Sequence, residues 1–108
     1  MLKRHQVLLT DWLTEYIKFL AEKYDVSFSE VIRISLSMYF MEMICLLHPK
    51  YKFPIAKKEM VRIFNQIAAK RLPEEAKHKL ISQLYFEARK AIEFRLVQEK
   101  KCKKNKSS

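Results

Sequence analysis

Polar and apolar positions alternate at the start of the chain and then change to a helical rhythm. Across Lys3 to Thr10, His5, Val7 and Leu9 fall on one side and Arg4, Gln6 and Leu8 on the other. That is the period of a strand, with Leu8 the one departure from a polar outer face. From Asp11 the period lengthens. Leu13, Ile17, Leu20, Ala21 and Tyr24 recur at steps of three and four and predict a helix headed by Thr10 or Asp11. Asp25 is the expected stop, because Asp tolerates left-handed backbone better than most residues with a Cβ. Ser27-Phe28-Ser29-Glu30 then has the spacing of a capping box and predicts a second helix to about His48. Val31, Ile32, Leu36, Tyr39, Phe40, Met43, Ile44 and Leu47 make that helix apolar over more than one face. A helix of this kind packs against several neighbours, another chain among them.

Pro49 through Pro54 reads as a linker. A third helix is predicted over Ile55 to Arg71, with Met60, Ile63, Phe64, Ile67 and Ala68 on its apolar side. Pro73 suits the first turn of a fourth, running to about Lys100. On it Leu80, Leu84, Ala88 and Ala91 form a seam, flanked by Ile81, Tyr85, Ile92 and Leu96, while Phe86 sits nearly opposite. Residues 100–108 hold five lysines and no large apolar residue, the composition of a disordered basic tail. The chain divides on this reading into a domain at 1–48, a helical hairpin at 49–99 and the tail.

One predicted strand among four predicted helices raises a physical difficulty. A strand's backbone donors and acceptors need partners once its apolar face is covered. An identical strand from a second copy, antiparallel about a two-fold axis, would supply them. The expected architecture is therefore mainly α: a homodimer whose paired N-terminal strands form a ribbon covered by helices, plus the C-terminal hairpin. The outer face of such a ribbon would present Arg4, Gln6 and Leu8 to the major groove. Arginine can bond guanine and glutamine adenine, each bidentately, and leucine can meet a thymine methyl.

These features resemble the ribbon-helix-helix repressors typified by Arc, MetJ and CopG. The likeness is carried by Lys3-Arg4-His5-Gln6-Val7-Leu8-Leu9-Thr10, by Leu13 with Ile17-x-x-Leu20-Ala21, and by Val26-Ser27-x-Ser29-Glu30-Val31-Ile32-Arg33. It covers about a third of the chain. The resemblance implies base reading by Arg4, Gln6 and Leu8. It implies phosphate binding by the start of the second helix, Ser27, Phe28 and Ser29, with Lys3 beside them, since helix N-termini favour anions. It further implies a repressor of transcription. Thr10 stands where many members have proline, Asp25 where many have glycine or asparagine, and Leu8 where the reading residue is usually polar.

Charge strengthens the expectation of a polyanionic partner. Net charge is +10 with a pI near 9.7. Residues 1–49 hold 5 Lys and Arg against 6 Asp and Glu, a net of −1; residues 50–108 hold 17 against 6, a net of +11. Double-stranded DNA is the partner expected. For the hairpin, assembly into a tetramer, binding of a protein such as a toxin, and contact with flanking DNA all stay open. Two further classes compete for the whole chain: an architectural protein that coats nucleic acid without preference, and a helical protein-interaction module such as an antitoxin.

Other chemistry is thinly represented. There is no glycine, hence no glycine-rich phosphate loop, and no nucleophile with a base at a recognisable spacing. An enzyme is not expected, nor a cofactor. Cys45 and His48 share a helical face without further ligands in register, so no metal site is expected. Two cysteines, no apolar leader and no run long enough to span a bilayer place the protein in the cytoplasm, or the host-cell cytoplasm if it is viral, with no membrane partner.

Overall fold

The computed structural model describes residues 2–52, 59, 61–63, 65–66 and 73–106, the last five of these without side chains. Three helices organise it: α1 at Asp11–Tyr24, α2 at Phe28–Leu47 and α3 at Glu74–Lys106. Residues 59, 61–63 and 65–66 are also helical, within the third predicted helix. Met60, Phe64, Ile67 and Ala68, named for its apolar side, lie outside the described residues.

The predicted ribbon is not formed. No strand occurs among the described residues, and residues 2–10 run without regular structure into α1. The expected inner face is not covered either: His5 is exposed and Val7 is 72% exposed, with only Leu9 half-buried. The reason is the one that made the strand problematic. A single extended segment has no second segment to accept its ladder bonds, and water then serves its amides better than a packed surface would. The mainly α part of the expected architecture matches these helices; the strand and its two-fold pairing do not.

The turn between α1 and α2 follows its local chemistry closely. Thr10 occupies the position before α1 with extended backbone, though its side chain makes no capping bond. Asp25 ends α1 in the left-handed region, at φ 53° and ψ 54°. The Val26 amide then donates to Ala21 O at 3.0 Å and the Asp25 amide to Glu22 O at 3.3 Å. This pair of bonds is a Schellman closure, here with Asp in place of glycine. Ser27 caps α2 by accepting from the Glu30 amide at 3.0 Å. Glu30 does not reach back to complete the box; its carboxylate takes the Arg33 guanidinium instead.

The core lies between α2 and α3. Met41 and Ile44 from α2 meet Ile81, Leu84, Ala88 and Ala91 from α3. Leu84 is 1% exposed and Ala91 fully buried. Two alanines in the seam let the helix backbones approach, while burying Leu84 contributes on the order of 2 kcal/mol. Ile17 of α1 and Val31 of α2 are also buried, and Tyr24, Val26, Ile63 and Tyr51 pack round the edge of the core. The C-terminal helix thus supplies half of the core that holds α2. It also continues to Lys106, through most of the stretch expected to be a disordered tail.

Candidate nucleic-acid interface

Four of the residues expected to touch DNA lie on the N-terminal arm. Lys3, Arg4, Gln6 and Leu8 are all exposed, Leu8 completely. At the end of the segment Leu9 is half-buried and Thr10 O accepts the Thr14 amide at 3.0 Å. Nothing separates Arg4, Gln6 and Leu8 from His5 and Val7 as a reading face, because His5 and Val7 are exposed as well.

The other expected contacts sit at the start of α2. Ser27 and Ser29 are exposed and Phe28 is half-buried. The Ser27 hydroxyl already receives the Glu30 amide, so the amides of Phe28 and Ser29 are the donors left for an anion. Local charge does little to help them. Arg33 is engaged by Glu30, which raises its pKa through their hydrogen bond.

A side chain not anticipated from sequence fixes this turn. Lys77, in the first turns of α3, is 4% exposed. Its ammonium donates to Asp25 O at 2.6 Å and to Glu74 Oε1 at 2.8 Å, and pairs with Asp25 Oδ2 at 3.3 Å. Burial alone would lower its pKa; the bonds to Glu74 and Asp25 outweigh burial and hold it above the ordinary lysine value. Lys77 therefore ties the C-terminal helix to the left-handed residue that aims α2. Around the turn, Asp25, Glu30 and Glu74 carry three negative charges against two positive ones on Lys77 and Arg33. Its role is to hold the turn rather than to offer phosphate a cation.

The signal for Lys77 was present in the pattern. It lies four residues before Ile81, seven before Leu84 and eleven before Ala88, on the buried seam itself. Glu87 sits on the same seam, 4% exposed, with Oε1 taking Gln83 Nε2 at 3.3 Å and Lys90 Nζ at 3.4 Å. A charged residue in register with a helix's apolar seam is an expected buried partner in an ion pair.

Cys45 and His48 do not act together. The Cys45 thiol, raised in pKa by burial, lies 3.7 Å from Tyr51 O, whereas His48 stacks edge-on against Phe94 and meets Arg95 at 3.1 Å. Among the described residues, no three His, Cys, Asp or Glu side chains are placed to hold a metal. No helix among them is long and apolar enough to cross a membrane.

α2, which packs on α3, and α1, which packs on α2, leave another surface open. On α1, Trp12, Tyr16 and Phe19 are more than half exposed. On α2, Leu36, Tyr39, Phe40, Met43, Leu46 and Leu47 are exposed at helical spacing. Soluble monomers rarely show apolar stripes of this extent. No family model matches the sequence, and neither a curated protein nor a solved structure does.

Proposed function

We propose that this protein is a sequence-specific double-stranded DNA-binding regulator, a cytoplasmic homodimer that represses transcription. The observation that carries the reading is charge: +10 overall, with +11 contributed by residues 50–108. A surplus of this size draws duplex DNA by counterion release. The exposed arm supports the sequence-reading part of the proposal, since Arg4 and Gln6 can reach base edges from an exposed segment outside the helices. Lys3 is beside them for a phosphate, and Leu8 for a thymine methyl.

The second copy is the occupant that the open apolar surface suits. The exposed residues of α2 are almost uncharged, interrupted by Glu42, so they offer little to a strongly charged partner. A surface of this kind is self-complementary about a two-fold axis. Two arms would then be carried by one particle and read two half-sites.

Selection of targets from a random duplex pool tests the proposal, followed by anisotropy titration of wild type and an Arg4→Ala/Gln6→Ala variant. An enriched inverted repeat is expected, and its advantage over random DNA should shrink in the variant by about 1–3 kcal/mol for each base-reading side chain removed. Without an enriched sequence, or with a variant that discriminates as well as wild type, base reading by the arm is refuted.

A further inference from the structure

α3 buries one side against α2, and the opposite side carries a regular pattern of its own. Lys79, Lys90 and Lys101 are exposed and stand eleven residues apart. Eleven residues make a little over three whole turns, with a drift of about 20° and a rise of about 16 Å. The three ammonium groups therefore share one stripe over about 33 Å of helix. Between them, at the same step of eleven, lie Phe86, 58% exposed, and Val97, 49% exposed. Lys90 Nζ rests 4.9 Å from the Phe86 ring centroid. The acidic groups nearby are Glu75 at the head of the stripe, Glu93, which Arg89 takes at 2.8 Å, and the buried Glu87 beneath Lys90.

Apart from the pairing of Lys90 with Glu87, the stripe is exposed, and its chemistry is that of a polyanion contact. Lysine meets phosphate as a point charge and needs no fixed geometry to do so. A span of about 33 Å is close to one turn of duplex DNA, about 34 Å, so the stripe can reach successive strand crossings on one side of the helix. A lipid surface fits less well, because the broad apolar face of α3 is committed to α2.

We propose that this side of α3 is a second DNA contact, with Lys79, Lys90 and Lys101 pairing with backbone phosphates and Phe86 and Val97 against the sugars between them. The inference rests on the DNA-binding reading above, and adds affinity without adding sequence preference.

The test uses the full chain and a duplex of about 30 base pairs in random and selected sequence. Affinity is followed against salt for wild type, for Lys79→Gln/Lys90→Gln/Lys101→Gln, and for Lys18→Gln/Lys50→Gln/Lys52→Gln, which removes the same charge elsewhere. Removing one lysine–phosphate pair should flatten the slope of log K against log salt by about 0.9, hence by about 2.7 per chain for the stripe variant. The control triple should change the slope by less than about one, and the ratio of selected to random affinity should stay at the wild-type value in the stripe variant. Phe86→Ala should weaken binding with the slope unchanged. Equal slopes for wild type and stripe variant, or equal flattening by the two triples, would overturn the second contact while leaving arm reading intact. Wild type that binds no duplex would sink both, and binding to phosphatidylserine vesicles that disappears only in the stripe variant, with the duplex slope unmoved, would reassign the stripe to lipid.

Discussion

Replacing Lys77 by methionine asks whether a buried ion pair is holding the α1–α2 turn in place. Methionine keeps the aliphatic length, so little cavity forms and the polar bonds alone are removed. Three contributions compete. The bond from the ammonium to Asp25 O, at 2.6 Å, is a charged hydrogen bond worth about 1.5–3 kcal/mol. The two carboxylates contribute less, because the side chains of Asp25 and Glu74 are 89% and 65% exposed and regain water when the lysine leaves; surface pairs of this kind give about 0–1 kcal/mol each. Against these stands the desolvation of the ammonium, whose side chain is 5% exposed, and which methionine avoids. Buried pairs replaced by apolar side chains can come out neutral or better on that account. Here the bonds to Glu74 and Asp25 favour the charged lysine over the neutral one despite burial, and the backbone bond to Asp25 O is the one that methionine leaves without a replacement. The expected loss is about 1–2 kcal/mol, read as a lower urea midpoint by far-ultraviolet circular dichroism, or as a fall in Tm of about 4–16 °C. Glu74→Gln, which removes one exposed partner, should cost no more than about 1 kcal/mol. A Lys77→Met protein as stable as wild type, or more so, would refute the reasoning and make Lys77 a tolerated burial instead of a tether.

Leu84→Ala should cost about 2–5 kcal/mol by denaturant melt, since this side chain is 1% exposed at the centre of the α2–α3 seam; a loss below about 1 kcal/mol would mean the seam is not the core. Stability should also fall in alkali. Lys77, Cys45, Tyr51 and Tyr85 all have raised folded-state pKa values, from ordinary values of 10.5, 9.0, 10.0 and 10.0. A group raised on folding contributes its full stability below its unfolded pKa and loses it as pH rises toward the folded value. Urea midpoints should therefore be level from neutral to about pH 8.5 and decline above about pH 9; a midpoint that rises between about pH 9 and 10.5 would contradict the assignment.

Where backbone conformation depends on near neighbours, the pattern of residues anticipates it. The limits of α1, the left-handed Asp25 and the Ser27 cap each depend on three to five consecutive residues, and all are legible. The seam of Leu84, Ala88 and Ala91 is legible too, because helical period and burial coincide there. Alternation at His5, Val7 and Leu9 is not enough to make a strand. Alternation describes side chains, whereas a strand is made by the backbone bonds of its neighbour, and no neighbouring strand occurs among the described residues. The role of α3 escapes the pattern for a related reason. Its seam is visible, but the surface it covers, Met41 and Ile44 of α2, is not.

The burial of α3 against α2 also decides what the arm and the stripe can do. Residues 2–10 run into α1, and the α1–α2 turn is held by Lys77 from α3. An arm is poor at carrying affinity, because each ordered residue costs roughly 1–2 kcal/mol of backbone entropy. A rigid 33-residue helix has already met that cost in folding. If the stripe of α3 supplies most of the attraction to DNA, the arm need contribute only the difference between one sequence and another. Such a division matches the distribution of charge, with a net of −1 in residues 1–49 and +11 beyond. It also keeps substitutions at Lys79 and Lys101 away from the seam, whereas Lys90 pairs with the buried Glu87, so the variant's stability is measured beside its salt dependence.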